Sequence, residues 1–188
     1  MTTLVLTIGL AVASALGMAF VGKQASAGLR LCAGGVVLAG TASAVLATLF
    51  GDEVPDDWMP QLTMFAGVLA VCGGHLVTRA LLDVVNESGE LGAESLLPGG
   101  SWIGALERLA FYLSLVAGLP EGVAVVLAVK ALGRYPELKI DQQRREATGS
   151  DRASLGERFI IGTMVSLLWA AGCGYVVVAQ GGTPLVLR

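Results

Sequence analysis

Charged residues, histidine and cysteine are all scarce in this sequence, and their scarcity excludes several classes of protein. Only 14% of the 188 residues are charged, whereas a soluble domain has about 25%. The three cysteines, Cys32, Cys72 and Cys173, all fall in apolar stretches and form no CxxC pair. We therefore expect neither a disulfide framework nor a zinc site, and we interpret all three as small buried hydrophobic residues.

Catalytic signatures are missing as well. The sequence has no phosphate-binding loop, nucleophile elbow or HExxH motif, and no pair of carboxylates that resembles a hydrolase site. Its net charge of -3 is opposite in sign to the basic footprint of a nucleic-acid-binding protein. These absences predict no catalytic residues, metal, cofactor or nucleic-acid partner, although an unfamiliar lipid-modifying enzyme stays open.

Apolar residues, by contrast, make up 54% of the chain, and they are accompanied by 26 glycines. Small residues let membrane helices approach one another closely. We predict an all-α, polytopic membrane protein, a single domain of about six transmembrane helices. The predicted helices cover about residues 4–21, 29–50, 61–82, 102–118, 121–135 and 155–178.

Several breaks separate these runs. The acidic stretch from Gly51 to Pro60 contains two prolines and Trp58, and the second break is the turn Leu119-Pro120-Glu121. The fifth run has only about 14 residues, or about 21 Å of helix, against a hydrocarbon core of about 30 Å. Either this helix continues to Pro136, or the fourth and fifth helices form a shallow hairpin.

The distribution of basic residues predicts the orientation. Lys23 and Arg30 flank the first connection and a basic segment from Lys139 to Arg152 precedes the last helix, whereas the Gly51–Pro60 break has no lysine or arginine. By the positive-inside rule the basic connections are cytoplasmic, and both termini are extracytoplasmic. The first run is interpreted as a retained helix, because its start lacks the basic residues of a signal peptide.

Ionisable residues inside the apolar runs are the candidate functional residues. The predicted orientation brings them to a similar depth, in what we call the charged layer, near the cytoplasmic face. The charged layer comprises His75, Arg79, Asp83, Glu107, Arg108, Lys130, Arg134, Glu157 and Arg158. Three interpretations stay open: ion pairs that fix helix register, a site for a phospholipid headgroup or small anion, or a proton or ion path through Glu107.

Two neighbours in this layer need different partners. Glu107 and Arg108 are adjacent, so they point about 100° apart on a helix and cannot neutralise each other face to face. We expect Lys130 or Arg134 to pair with Glu107, and Glu157 to pair with Arg108.

Small residues recur at every fourth position on two predicted helices. Such ladders favour close helix packing, either inside the bundle or at a dimer face. The first ladder comprises Ala66, Ala70, Gly74 and Thr78, and the second comprises Gly162, Ser166, Ala170 and Gly174.

Three short elements stand out in the C-terminal half: Ile103–Arg108, Ala128–Lys130 with Arg134, and Glu157–Ser166. They resemble the IGxLER, AAKSxxRF and EYxLIGTxxS elements of a family of bacterial integral membrane proteins that has no established activity. This chain departs at Ala131, where serine is usual, at Arg158, where an aromatic residue is usual, and in its longer basic segment. The resemblance implies a multi-pass protein of the bacterial plasma membrane.

These observations predict a small transporter-like or channel-like protein that handles an anion or a proton at the charged layer. The alternatives are a non-catalytic subunit or scaffold of a membrane complex and a protein that binds anionic lipid. The expected partners are the bilayer, anionic phospholipid, and a second copy or other membrane subunits.

Overall fold

The computed structural model describes residues 1–20, 27–50, 53–85, 100–148 and 155–181, and almost all of them are helical. A 3₁₀ turn, Asp56–Trp58, precedes α3, and a π turn, Leu69–Gly73, joins α3 to α4 in one uninterrupted rod. With no strand in the described ranges, the all-α prediction is confirmed there. The helices are α1 (Thr2–Phe20), α2 (Ala27–Leu49), α3 (Met59–Val68), α4 (Gly74–Val85), α5 (Gly100–Val116), α6 (Pro120–Thr148) and α7 (Leu155–Ala179).

The predicted helix bounds are close to the observed ones except for the fifth helix. That helix, α6, was predicted to end near residue 135, but it continues through Pro136 to Thr148. A proline inside a helix costs about 3 kcal/mol because it removes one hydrogen bond. The segment after Pro136 consists largely of strong helix formers, ELKIDQQRREA, which favour continuation. The prediction of a shorter helix gave the proline too much weight.

Three helices are long and apolar enough to cross a membrane, among the residues that the structure describes. They are Leu31–Leu49, Asp56–Leu81 and Ile160–Ala179, and Thr2–Gly17 is a shorter apolar helix. Cys32 lies at the start of the first of these and is exposed, so its predicted burial is wrong, whereas Cys173 is buried and Cys72 half-buried.

Helix α1 buries hydroxyl-bearing residues and exposes several bulky apolar ones. On α1, Thr7 and Ser14 are buried, and each hydroxyl donates to a backbone carbonyl of its own helix. Val5, Val12 and Leu16 on the same helix are exposed. A helix of a soluble bundle places such apolar residues in the core and such polar residues on the surface.

The rod of α3, the π turn and α4 is the central element, and α1, α2, α5 and α7 all pack against it. Small residues permit this: a Cβ added at Gly34 of α2 would lie 2.6 Å from the Cβ of Ala80. Both predicted ladders face the interior. Ala66, Ala70, Gly74, Ser166, Ala170 and Gly174 are buried, and Thr78 and Gly162 are half-buried.

A tight reversal sets α6 antiparallel to α5. Gly118 has a φ of 68°, in the left-handed region that favours glycine. Its N–H donates to the carbonyl of Leu115, and the N–H of Leu119 donates to that of Ser114, which together make a Schellman cap. Pro120 then opens α6 with Glu121 in its first turn, as the sequence predicts.

Met1 and the last turn of α7 lie at one end of the bundle. The terminal ammonium of Met1 donates to the carbonyl of Glu53 (3.1 Å), and the N–H of Val54 donates to Oε1 of Gln180 (2.8 Å). A pocket of about 390 Å³ at this end is lined in part by Glu53 and Asp56.

Candidate functional site

The π turn presents backbone carbonyl groups to two neighbouring helices. The Leu69 carbonyl accepts a hydrogen bond from the Trp169 Nε1–H of α7 (3.1 Å), and the Val71 carbonyl accepts one from the Arg108 Nε–H of α5 (3.1 Å). A π turn interrupts the regular helical bonding pattern and is frequent at functional sites. Here it forms a junction where α5 and α7 both bind the central rod.

Arg108 is the charged residue at this junction, and it is only 5% exposed. Besides its bond to Val71, its Nη1 donates to the hydroxyl of Ser166 on α7 (3.4 Å). Its Nη2 is buried and has no hydrogen-bond partner. Among the side chains that the structure describes, no carboxylate pairs with Arg108. The guanidinium is therefore a buried positive charge held by neutral groups and left with an unused donor.

Two glycines make room for the junction. A Cβ added at Gly74 would lie 2.6 Å from Arg108 Cδ and 3.0 Å from Trp169 Cδ1. A Cβ added at Gly73 would lie 2.7 Å from Trp169 Cζ2. The Gly73-Gly74 pair thus permits the arginine and the tryptophan to reach the π turn from two sides.

Glu107 points the other way, toward α6, and forms an ion pair with Lys130. Their side chains are only 21% and 13% exposed, so the pair is largely removed from solvent. The two residues lie at nearly equal distances on either side of the Gly118 reversal, which explains why they meet in an antiparallel hairpin. Lys130 is one of the two partners that the sequence predicts for Glu107.

Two other members of the charged layer, His75 and Arg79, lie on α4. His75 is half-buried and Arg79, one turn further along α4, is exposed. Ser166, which binds Arg108, follows Glu157 by nine residues on α7, a rise of about 13 Å. Arg108 therefore binds at a level well away from the Glu157 backbone. The side chains of Asp83, Arg134, Glu157 and Arg158 lie outside the described part of the chain.

Sequence reasoning missed the aromatic residues that anchor the central rod. Besides Trp169, Tyr112 on α5 is 1% exposed and donates through its hydroxyl to the carbonyl of Thr63 (2.7 Å). A tyrosine or tryptophan within an apolar helix usually needs a hydrogen-bond partner, and this need was the available signal. The partners themselves, two backbone carbonyls, have no signature in the sequence.

Comparison with known proteins identifies no relative: no family model matches the chain, and no curated protein or solved structure shows significant similarity to it. Within the described ranges, no three or more histidine, cysteine, aspartate or glutamate side chains are grouped so that they would hold a metal ion. The candidate site is thus defined by its own geometry, in which the buried guanidinium of Arg108 is held by a backbone carbonyl and a serine hydroxyl.

Proposed function

We propose that this chain is a six-span protein of the bacterial inner membrane with both termini extracytoplasmic. Support comes from the three membrane-length apolar helices and from the exposure of bulky apolar side chains such as Val5 and Val36. The contacts of Met1 with Glu53 and of Val54 with Gln180 fit alternating helix directions with both ends on one side. The basic connections then lie on the cytoplasmic side. The resemblance of the C-terminal half to bacterial membrane proteins gives the same location.

We further propose that the protein binds a small anion at Arg108 and has a transporter-like or channel-like role. The observation that carries this proposal is the buried guanidinium whose Nη2 has no partner. Burying an unpaired charge costs several kcal/mol, and an arginine at the centre of a membrane helix costs about 2.5–3.5 kcal/mol on the insertion scale. A bound anion offsets that cost and uses the free donor.

The neighbouring carboxylate does not fill this role. Glu107 points about 100° away from Arg108 around α5 and forms its ion pair with Lys130. The remaining contacts of Arg108 are a backbone carbonyl and a serine hydroxyl, both neutral. The positive charge at the junction is therefore available to an anionic ligand, which a self-neutralised ion-pair network would not allow.

A scaffold role receives less support from the same contacts. The scaffold alternative needs the second small-residue ladder to meet another chain, but Ser166, Ala170 and Gly174 are buried within this one. A Cβ at Gly174 would lie 3.3 Å from Leu115 Cδ1 of α5, so this face is already occupied.

The test is anion-dependent stability of the purified protein in nanodiscs made only of phosphatidylcholine. Titration with sodium nitrate in a sodium gluconate background is expected to raise the melting temperature, because a ligand that binds only the folded state stabilises it. Arg108→Gln keeps hydrogen-bonding capacity without the charge and is expected to weaken the apparent affinity at least about tenfold. Lys139→Gln, the same charge change at an exposed position on α6, is the matched control.

Nitrate efflux from proteoliposomes separates binding from transport. Efflux that depends on Arg108 supports the transporter-like role, whereas binding without efflux keeps the site and removes that role. A wild-type protein that nitrate does not stabilise, or an Arg108→Gln protein that responds like wild type, contradicts the anion site itself.

A further inference from the structure

A second buried donor without a partner is the hydroxyl of Thr78 on α4, one turn beyond Gly74, which faces Arg108. Threonine in a helix commonly donates to the carbonyl four residues earlier. Thr7, Thr41 and Thr63 all do so in this chain. Thr78 makes no such bond, and its Oγ1 is enclosed. The absence of this hydrogen bond at Thr78 therefore requires a physical explanation.

The packing of α5 against the central rod directs Arg108 toward Thr78. Gly67 faces Tyr112, and Gly74, further along the rod, faces Arg108, which is earlier on α5, so the two helices run antiparallel. A long side chain on a helix points back toward the helix start, and Arg108 Nη1 would indeed lie 3.6 Å from a Cβ at Gly104. Because the two helices are antiparallel, the turn from Arg108 back to Gly104 on α5 runs alongside the turn from Gly74 forward to Thr78 on α4. Thr78 lies on the same face of α4 as Gly74.

The groups at this place are donors. Arg108 Nη2 can only donate, and the free hydrogen of the Thr78 hydroxyl is available to donate as well. The hydroxyl of Ser166 accepts a hydrogen bond from Nη1 and is uncharged. A group that accepts from both free donors carries negative charge or strong acceptor atoms, which is the chemistry of an anion.

The less buried side of this site is the one predicted to be cytoplasmic. Gly74, Arg108 and Ser166 are buried, whereas Thr78 and Gly104, one turn further toward that side, are half-buried. At the opposite end of the bundle, the acidic residues Glu53 and Asp56 line the surface pocket, and their negative charge disfavours the approach of an anion.

We infer that Thr78 and Arg108 together bind one small, monovalent, dehydrated anion of about the size of chloride or nitrate, which enters from the cytoplasmic side. This inference rests on the proposed function and adds a second ligand residue and a ligand class to it. The free anion is favoured over a phospholipid headgroup because both donor atoms are buried below the surface of the bundle. A phosphodiester attached to its acyl chains requires the helices to separate before it reaches them.

The decisive variant is Thr78→Val, which removes the hydroxyl and keeps the shape of the side chain. In phosphatidylcholine nanodiscs, the nitrate concentration needed for half-maximal stabilisation is expected to rise about tenfold relative to wild type. Thr41→Val is the matched control, because Thr41 is also buried but its hydroxyl already donates to Val37. Thr78→Ser restores the hydroxyl and is expected to recover wild-type affinity, which keeps the test valid if the valine variant folds poorly.

The outcomes separate this inference from the proposal on which it rests. If Arg108→Gln abolishes the response to nitrate and both Thr78 variants respond like wild type, the role of Thr78 is wrong and the anion site stands. If wild type does not respond, both are wrong. Nanodiscs that contain phosphatidylglycerol test whether the ligand is a lipid headgroup. If the protein retains anionic lipid, if this retention requires Arg108, and if nitrate does not displace the lipid, the small-anion assignment is wrong. A high-resolution map with only a water between Thr78 and Arg108 overturns it too.

Discussion

Glu107 and Arg108 are neighbours on α5, yet Glu107 has a counter-charge and Arg108 has none among the described side chains. Glu107 faces the hairpin partner α6 and meets a cation, Lys130. Arg108 faces the central rod and meets a carbonyl and a hydroxyl, with one donor left over. One side of α5 therefore carries a neutralised pair, and the other carries a net positive charge in a more deeply buried place.

The difference shows that burial and charge compensation are separate properties of a site. The ion pair on the α6 side needs nothing from outside the chain, so it serves to align the hairpin. The junction on the rod side is held by the π turn. No carboxylate among the described side chains balances the charge of Arg108 there. Of the two, only the junction supports the proposed binding of a charged ligand.

The largest expected effect comes from closing the junction sterically. Gly74→Val places atoms where Arg108 Cδ and Trp169 Cδ1 now lie, 2.6 and 3.0 Å from the new Cβ. Arg108 is held by two hydrogen bonds and cannot move aside freely, so we expect a loss of about 3 kcal/mol in the free energy of unfolding. An SDS titration of the protein in detergent micelles measures it.

Gly35→Val on α2 is the control for this substitution, since no atom lies within 4 Å of a Cβ there. It is expected to leave the free energy of unfolding nearly unchanged. Equal losses at Gly74 and Gly35 would mean that the junction is not tightly packed around Arg108.

A smaller loss is expected on the compensated side of α5. Glu107→Gln removes the counter-charge of Lys130 and leaves an ammonium that is mostly buried, at a cost of about 2 kcal/mol in the free energy of unfolding. Adding Lys130→Met to the same protein removes the orphaned charge and is expected to recover most of this loss. The double-mutant cycle, measured by the same SDS titration, gives the coupling energy of the pair, and a coupling near zero would show that the pair does not align the hairpin.

The sequence limited the expected partner of Glu107 to Lys130 or Arg134, and its small-residue ladders indicated the buried faces of two helices. Glu107 and Lys130 meet because they are nearly equidistant from the Leu119-Pro120 turn, and the four-residue spacing of Ala66, Ala70 and Gly74 marks the buried face of the rod. Both features follow from the regular geometry of helices, which is why periodicity and spacing reveal them.

The junction itself was not predictable in the same way. It depends on backbone carbonyls, a group that every residue type possesses. Those of Leu69 and Val71 accept hydrogen bonds from other helices at the π turn. The space at the Gly73-Gly74 pair is used by Arg108 and Trp169, and neither contact follows from the spacing of side chains in the sequence. Backbone irregularity of this kind arises from tertiary packing, so a pattern of side chains does not report it.

The smallest expected effect is the most informative about the comparison. Arg108→Met loses a charge-assisted hydrogen bond of about 1.5–3 kcal/mol to the Val71 carbonyl. It also removes the cost of an arginine within the apolar bundle, about 2.5–3.5 kcal/mol on the insertion scale. The two terms nearly cancel, so in sodium gluconate we expect the free energy of unfolding to change by less than about 1 kcal/mol.

The same variant should respond differently once a small anion is present. Sodium nitrate is expected to raise the melting temperature of the wild-type protein and leave that of Arg108→Met unchanged, so the two proteins diverge only when ligand is added. A residue that serves packing alone would give the opposite result, with a large loss in gluconate and no further divergence in nitrate. Stability that is independent of the arginine, combined with a ligand response that requires it, is what distinguishes the uncompensated side of α5 from the side that carries Glu107.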